Sequence, residues 1–258
     1  MRGLLLALGI ACGSALAAQA GDVPLAERRS GYEQMTPELR RMQDDDSANP
    51  GMLWVLDGEA FWRRPEGSAQ RSCADCHGDA AQSMNGVAAR YPMLDKGLGR
   101  PVELEERINF CRVRQQGAPA LAAESKELLS LTAYVARQSN DSPITVSEDP
   151  DTFAAIRSGE KIFERRQGQL NLSCANCHDT NSGGKLGGAT IPQGHPNGYP
   201  LYRLEWQSLG SLQRRLRNCF AGMRAEPYPS GSPELAKLAL YLAWRARGLR
   251  VEAPAVRP

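Results

Sequence analysis

The sequence predicts an all-α chain made of two tandem copies of one helical domain, preceded by an N-terminal extension. Three observations carry this. Apolar residues recur at helical spacing, whereas alternating Val/Ile/Thr-rich stretches are scarce. A short cysteine motif occurs twice, at Cys73-Ala-Asp-Cys76-His77 and Cys174-Ala-Asn-Cys177-His178. Around each motif the same landmarks return in register, which is the mark of an internal duplication. Gly58-Glu59 lies 15 residues before Cys73, and Gly159-Glu160 lies 15 before Cys174. Tyr91-Pro92 and Tyr199-Pro200 begin 20 residues before Cys111 and Cys219, and Arg107 and Arg215 precede the same two cysteines by four.

Taken in order, residues 1–20 read as an export signal. Arg2 is followed by the apolar run Leu4 to Ala11 and by Ala18-Gln19-Ala20 at the cleavage site, so the mature chain begins near Gly21. No later stretch reaches 18 consecutive apolar residues, so no membrane span is expected. Residues 21–52 form the extension, with Thr36 before Pro37-Glu38-Leu39 as an N-cap and first helical turn. The first domain is placed at 53–140 and the second at 153–258. A polar connector, 141–152, holds Pro143, Pro150 and several acidic residues and is expected to be exposed. Helices are expected over 102–114, 124–137, 207–218 and 232–245, the last behind Ser232 and Pro233. The Gly-rich stretch 181–199 reads as loop. A net charge of +2 is too balanced for a nucleic-acid-binding surface.

Seven cysteines, one of them (Cys12) inside the export signal, leave six for an exported chain. C-x-x-C-H is the attachment signature of c-type haem: two thioethers hold the porphyrin and the adjacent histidine reaches the iron. A redox dithiol would need a βαβ context that is absent, and a zinc site would make both adjacent histidines coincidental. The motifs therefore predict two covalently bound haem c groups. Cys73 and Cys76 hold the first and Cys174 and Cys177 the second, with His77 and His178 as iron ligands. His195 is the third and last histidine, so two bis-His haems are excluded. The sixth ligands are Met or Cys. Met93 lies only 16 residues past His77, and Met223 lies 45 past His178. Cys111 and Cys219 compete, because each recurs as part of its own domain. The alternative is a disulfide joining the two. The symmetry favours Cys111 and Cys219 on iron.

A thiolate ligand stabilises ferric iron and suits chemistry better than high-potential electron relay. Arg215, about one turn before Cys219, projects from the same helix face and offers a planar fork to a sulfur oxyanion; Arg107 offers the same beside Cys111. The plainer reading of either arginine is a solvated charge.

These residues resemble the SoxA family, the catalytic subunits of the periplasmic SoxAX thiosulfate-oxidising cytochromes. The likeness covers nearly the whole mature chain. It runs through Met42-Gln43-Asp44-Asp45, Asn49-Pro50-Gly51-Met52-Leu53-Trp54, Ile108-Asn109-Phe110-Cys111-Arg112, Gly194-His195-Pro196-Asn197-Gly198-Tyr199-Pro200, Tyr202-Arg203, Asn218-Cys219 and Met223-Arg224-Ala225. The resemblance implies two cytochrome c-like domains and an L-cysteine S-thiosulfotransferase. This enzyme joins thiosulfate to a cysteine of the SoxYZ carrier and passes electrons to a cytochrome c, in a heterodimer with the small cytochrome SoxX. It implies that the second haem is the active one, with Cys219 as the catalytic cysteine, found as a persulfide, and Arg215 as the thiosulfate-binding arginine. His195 stays open between a nearby acid/base or pocket-wall residue and a hydrogen-bonded or exposed loop histidine. Two rival functions remain: a pure electron carrier with Met223 on iron, and a thiosulfate dehydrogenase forming tetrathionate.

Overall fold

The computed structural model describes residues 23–258, so the export signal expected over 1–20 and Cys12 lie outside the described residues. The chain opens with two short 3₁₀ turns and helix α1 (Pro37–Asp44), capped by the Thr36 hydroxyl with Pro37 in the first turn, as expected. The first repeat contains α2 (Met52–Arg63), α3 (Cys73–His77), α4 (Ala80–Ser83), the hairpin β1–β2 (Met93–Asp95, Arg100–Val102), α5 (Leu104–Cys111) and α6 (Lys126–Arg137). The second contains α7 (Pro150–Glu164), α8 (Cys174–His178), the small hairpin β3–β4 (Lys185–Leu186, Ala189–Thr190), the hairpin β5–β6 (Leu201–Arg203, Ser208–Gly210), α9 (Leu212–Gly222) and α10 (Pro233–Arg245). Strand β7 (Ala255–Arg257) joins β5 in parallel. The fold is thus two tandem, mainly helical repeats with a few short strands.

Each repeat is built on a crossed pair of helices, and a glycine makes each crossing possible. A Cβ on Gly58 would lie 2.1 Å from the Ser130 carbonyl oxygen, and one on Gly159 would lie 2.1 Å from that of Lys237. Bringing α2 onto α6, and α7 onto α10, at that range leaves no room for a side chain. Around the second crossing Ile156, Phe163, Leu235, Leu238 and Tyr241 are almost fully buried; Val55, Trp62, Leu131 and Ala133 do the same for the first.

The repeats exchange hairpins. Leu209 of β6 is fully buried in the first repeat's core, where Tyr202 of β5 also packs, its ring edge-on to Trp54 at 5.7 Å. Reciprocally, β1 and β2 lie against α7 and α10.

Three expectations change. The connector is not exposed at its centre. Ile144 is buried with Ala89, Ala246 and Val251, and its N–H donates to the Leu249 carbonyl at 2.8 Å. The helix after it starts at Pro150, where the Asp149 side chain caps it. The helix expected over 207–218 starts only at Leu212, because 208–210 pair with β5 and Ser211 supplies the N-cap. The helix expected over 102–114 leaves α geometry at Cys111 and continues as a π-helical turn, Arg112–Gln116, closed by Gly117.

The extension wraps over the second repeat. The Arg29 N–H donates to Gln193 Oε1 at 2.7 Å, and Gln193 returns a bond to the Glu27 carbonyl at 3.0 Å. Asn197 Nδ2 donates to Ser30 Oγ at 3.2 Å. These bonds pin the end of the Gly-rich stretch 181–199, which is not loop throughout as expected, because its glycines close the β3–β4 hairpin.

Candidate haem and sulfur-transfer sites

Both cysteine motifs form a single helical turn closed by a reciprocal cap. In α3 the Asp75 N–H donates to Ser72 Oγ at 3.1 Å and the Ser72 N–H to Asp75 Oδ2 at 2.7 Å. In α8 Ser173 and Asn176 exchange the same two bonds at 2.9 and 3.3 Å. A turn of helix sets two residues three apart on one face, so each cysteine pair points together. The histidine that follows lies against an aromatic ring four residues past the crossing glycine: His77 against Trp62 at 5.7 Å, His178 against Phe163 at 6.5 Å. Tyr134 and Tyr241 back those rings in turn.

The six cysteines among the described residues are all free thiols, so the Cys111–Cys219 disulfide considered from sequence does not form. The sulfurs group by repeat instead. Cys111 lies in the electrostatic reach of Cys73 and Cys76, and Cys219 in that of Cys174. Burial raises the Cys73 thiol to about 11 and Cys174 to about 12; the neighbouring cysteine adds to both. Among the described residues no group of three or more His, Cys, Asp or Glu is arranged to hold a metal ion alone.

His178 is oriented more closely than His77. Its Nδ1 sits 2.7 Å from the Pro192 carbonyl oxygen. That oxygen can only accept, so Nδ1 carries the hydrogen and Nε2 presents a lone pair. The loop reaches this close because Gly194 has φ +77° and no side chain; a Cβ there would come within 3.1 Å of the imidazole. Burial, Arg215 and Arg245 push the His178 ring toward its neutral form. Arg245 is itself buried, lies over the Phe163 ring at 4.5 Å and pairs with Asp179 at 2.5 Å. His195 is neutral too: burial, helped by Arg245 and Arg28, lowers it to about 3, and neither ring nitrogen has a hydrogen-bond partner among the described residues.

The two arginines four residues before the lone cysteines have opposite surroundings. Arg107 is held by Asp95 of β1 at 2.5 Å and lies over Phe110. The side chain of half-buried Arg215 has no hydrogen-bond or ion-pair partner among the described residues. Its charge is felt by His178, by Arg203 of β5 and by Tyr199, whose hydroxyl burial raises to about 12. Sequence reasoning assigned no role to Tyr199, Arg203, Phe163 or Pro192, although the repeat register marks the first three as counterparts of Tyr91, Asp95 and Trp62. Met223, the alternative ligand, is buried in the second core, and Met93 is exposed on β1.

The fold and these paired motifs define a chain of two tandem cytochrome c domains. The SoxA/TsdA cytochrome c domain matches residues 57–144 and again 158–251. The chain is 39% identical over 235 residues to the L-cysteine S-thiosulfotransferase subunit SoxA of Pseudaminobacter salicylatoxidans, covering 91% of this chain and 82% of that one. It is 37% identical to the same subunit of Rhodovulum sulfidophilum, covering 90% and 80%. The crystal structure of SoxXA from P. pantotrophus superposes with a TM-score of 0.86 at 32% identity, covering 90% of this chain and 87% of that one. The chain belongs to the SoxA/TsdA cytochrome c family, and its cytochrome c domains imply haem c. The residues fit that group: paired free thiols on one helical turn, followed by a histidine packed on an aromatic ring and, in the second repeat, presenting Nε2.

Proposed function

We propose that the chain is the catalytic subunit of an L-cysteine S-thiosulfotransferase acting in the periplasm after removal of residues 1–20. It joins thiosulfate to a cysteine of the SoxYZ carrier and sends the electrons to a cytochrome c, in a heterodimer with SoxX. Atoms and charge balance as a carrier thiol plus thiosulfate giving the cysteine S-thiosulfonate, one proton and two electrons. The domains run 53–140 and 153–258, joined by 141–152 and preceded by the extension 21–52. Cys73, Cys76, His77 and Cys111 hold the first haem. Cys174, Cys177, His178 and Cys219 hold the second. When bound, haem c supplies a one-electron acceptor beside the Cys219 sulfur. The chain's own groups do the rest. Arg215 draws in the thiosulfate dianion and orients it. The Cys219 sulfur serves as relay or persulfide handle during transfer. Pro192 and Phe163 fix the His178 ring.

The observation that carries this reading is the half-buried guanidinium of Arg215 near Cys219, with no carboxylate among the described residues to satisfy it. A buried cation left without an anion is costly, so such a group is a natural anion receptor. The test pairs electron paramagnetic resonance with a carrier-dependent thiosulfate assay on the periplasm-expressed holoprotein and its Cys219→Met variant. The expected result is two low-spin ferric species with the narrow g-spread of His/thiolate ligation, one of them lost in the variant together with turnover. Met/His ligation at the second haem, unchanged in the variant, would make the chain an electron carrier. Tetrathionate formation without carrier would make it a thiosulfate dehydrogenase.

A further inference from the structure

The duplication provides an internal control for the anion site. β1 and β5 occupy the same place in the two repeats: Met93 pairs with Val102 as Leu201 pairs with Gly210, each two residues after the tyrosine of its Tyr-Pro pair. In that register Asp95 corresponds to Arg203, and Arg107 corresponds to Arg215. The first repeat therefore closes its arginine with a carboxylate, at 2.5 Å. The second puts an arginine where that carboxylate stands. Counted over these two positions, the charge changes from zero to +2.

Arg203 is poorly satisfied by the protein. Its side chain is 14% exposed, and its one carboxylate partner, Glu205 at 3.1 Å, is 64% exposed and so well screened. Its Nε is buried with no acceptor among the described residues. The Trp206 ring lies against both Arg203, at 5.3 Å, and Arg214, at 4.2 Å, and carries no charge to neutralise either. Arg203, Arg215, Tyr199 and Cys219 are mutual electrostatic neighbours. Two cations buried together repel unless a dianion joins them.

We infer that Arg203 and Arg215 form a two-armed clamp for the thiosulfate dianion at Cys219, and that replacing the carboxylate of the first repeat by Arg203 is what confines oxyanion binding to the second. This rests on the reading of Cys219 and Arg215 given above. Each arm supplies charge-assisted hydrogen bonds to the sulfonate oxygens.

The test uses the haem-loaded complex with thiosulfate and carrier, with calorimetric titration of thiosulfate and of sulfate as a readout separate from turnover. Losing one charged arm should raise KM and the dissociation constant for thiosulfate about 10–100-fold in Arg203→Gln. Arg203→Asp, which recreates the ion pair of the first repeat, should abolish measurable binding. Arg203→Lys should recover most of the affinity, which a purely structural role would not predict. Unchanged binding in Arg203→Gln and Arg203→Asp, while Arg215→Gln is crippled, overturns the clamp and leaves the site assignment standing. Unchanged binding and turnover in Arg215→Gln as well would instead overturn the assignment of the site. A fall in melting temperature shared by all Arg203 variants, with binding intact, would reduce Arg203 to a strand residue and also overturn the clamp.

Discussion

Gly159→Ala tests the helix crossing that supports the second site, because two physical effects predict opposite signs. Glycine inside a helix costs about 1 kcal/mol relative to alanine, so propensity alone predicts a more stable protein. The structure predicts the reverse. The new Cβ would lie 2.1 Å from the Lys237 carbonyl oxygen and 2.7 Å from the Tyr241 Cβ. Ordinary contact starts more than an ångström farther out, and the obstacle is helix backbone, which cannot turn aside as a side-chain tip can. Forcing α7 off α10 in a close-packed core costs about 3 kcal/mol before the propensity gain and about 2 kcal/mol after it. At this chain length that lowers the melting temperature by about 4–8 °C. The shift also displaces Phe163, one turn along α7, whose ring leans on His178. The assay is thermal and urea unfolding of the purified holoprotein, with haem content from the pyridine haemochrome spectrum. Gly58→Ala in the first repeat, facing the Ser130 carbonyl at the same 2.1 Å, serves as the matched partner. Unfolding midpoints at or above wild type in both variants would refute the close-approach argument.

Other outcomes follow from the same geometry. Arg107→Gln breaks a partly exposed pair with Asp95, so it should cost about 1 kcal/mol of stability and leave thiosulfate turnover within about twofold, read by urea unfolding and the carrier assay. Ser173→Ala removes the cap of α8 and should cost about 1 kcal/mol, visible as a lower melting temperature and poorer haem loading of the second motif. Burial, then Glu105, raises the Glu103 carboxyl to about 8, against the cavity of about 210 Å³ shared by Glu103, Glu124, Ser211 and Gln213. The folded state favours the protonated acid, so this stability is full at acid pH and is lost as pH rises from about 4.5 through about 8. Glu103→Gln should flatten that decline and add about 1–3 kcal/mol at pH 8 in urea unfolding curves.

Residues whose role is set by local chemistry could be read from the sequence. Thr36, Ser232 and the prolines after them cap helices as expected, because capping needs only neighbouring backbone. The landmarks of the repeat were visible, yet their reasons were not: Gly58 and Gly159 matter only once a second helix crosses them. The start of α9 was misplaced because residues 208–210 are claimed by β5, a partner that helical periodicity does not reveal. The connector looked polar, but Ile144 finds its burial against residues more than a hundred positions away, at Ala246 and Val251. At the proposed site, spacing singles out Cys219 and Arg215 as repeat counterparts of Cys111 and Arg107. Pro192 was not, since a carbonyl from a Gly-rich loop carries no side-chain signal, and the contrast between Arg203 and Asp95 acquires meaning only from their neighbours in space.

The exchanged hairpins have a consequence for how the chain acquires its structure. Leu209 and Tyr202 complete the core of the first repeat although they are made more than sixty residues after α6 ends. The N-terminal half therefore leaves the ribosome with an apolar face that stays uncovered until β5 and β6 arrive. Such long-range pairing slows folding and links the two halves into one cooperative transition. A fragment ending at the connector would keep its C-x-x-C-H motif and lose the surface that shields its core. Although the sequence reads as two modules, the chain is poorly suited to being cut into them.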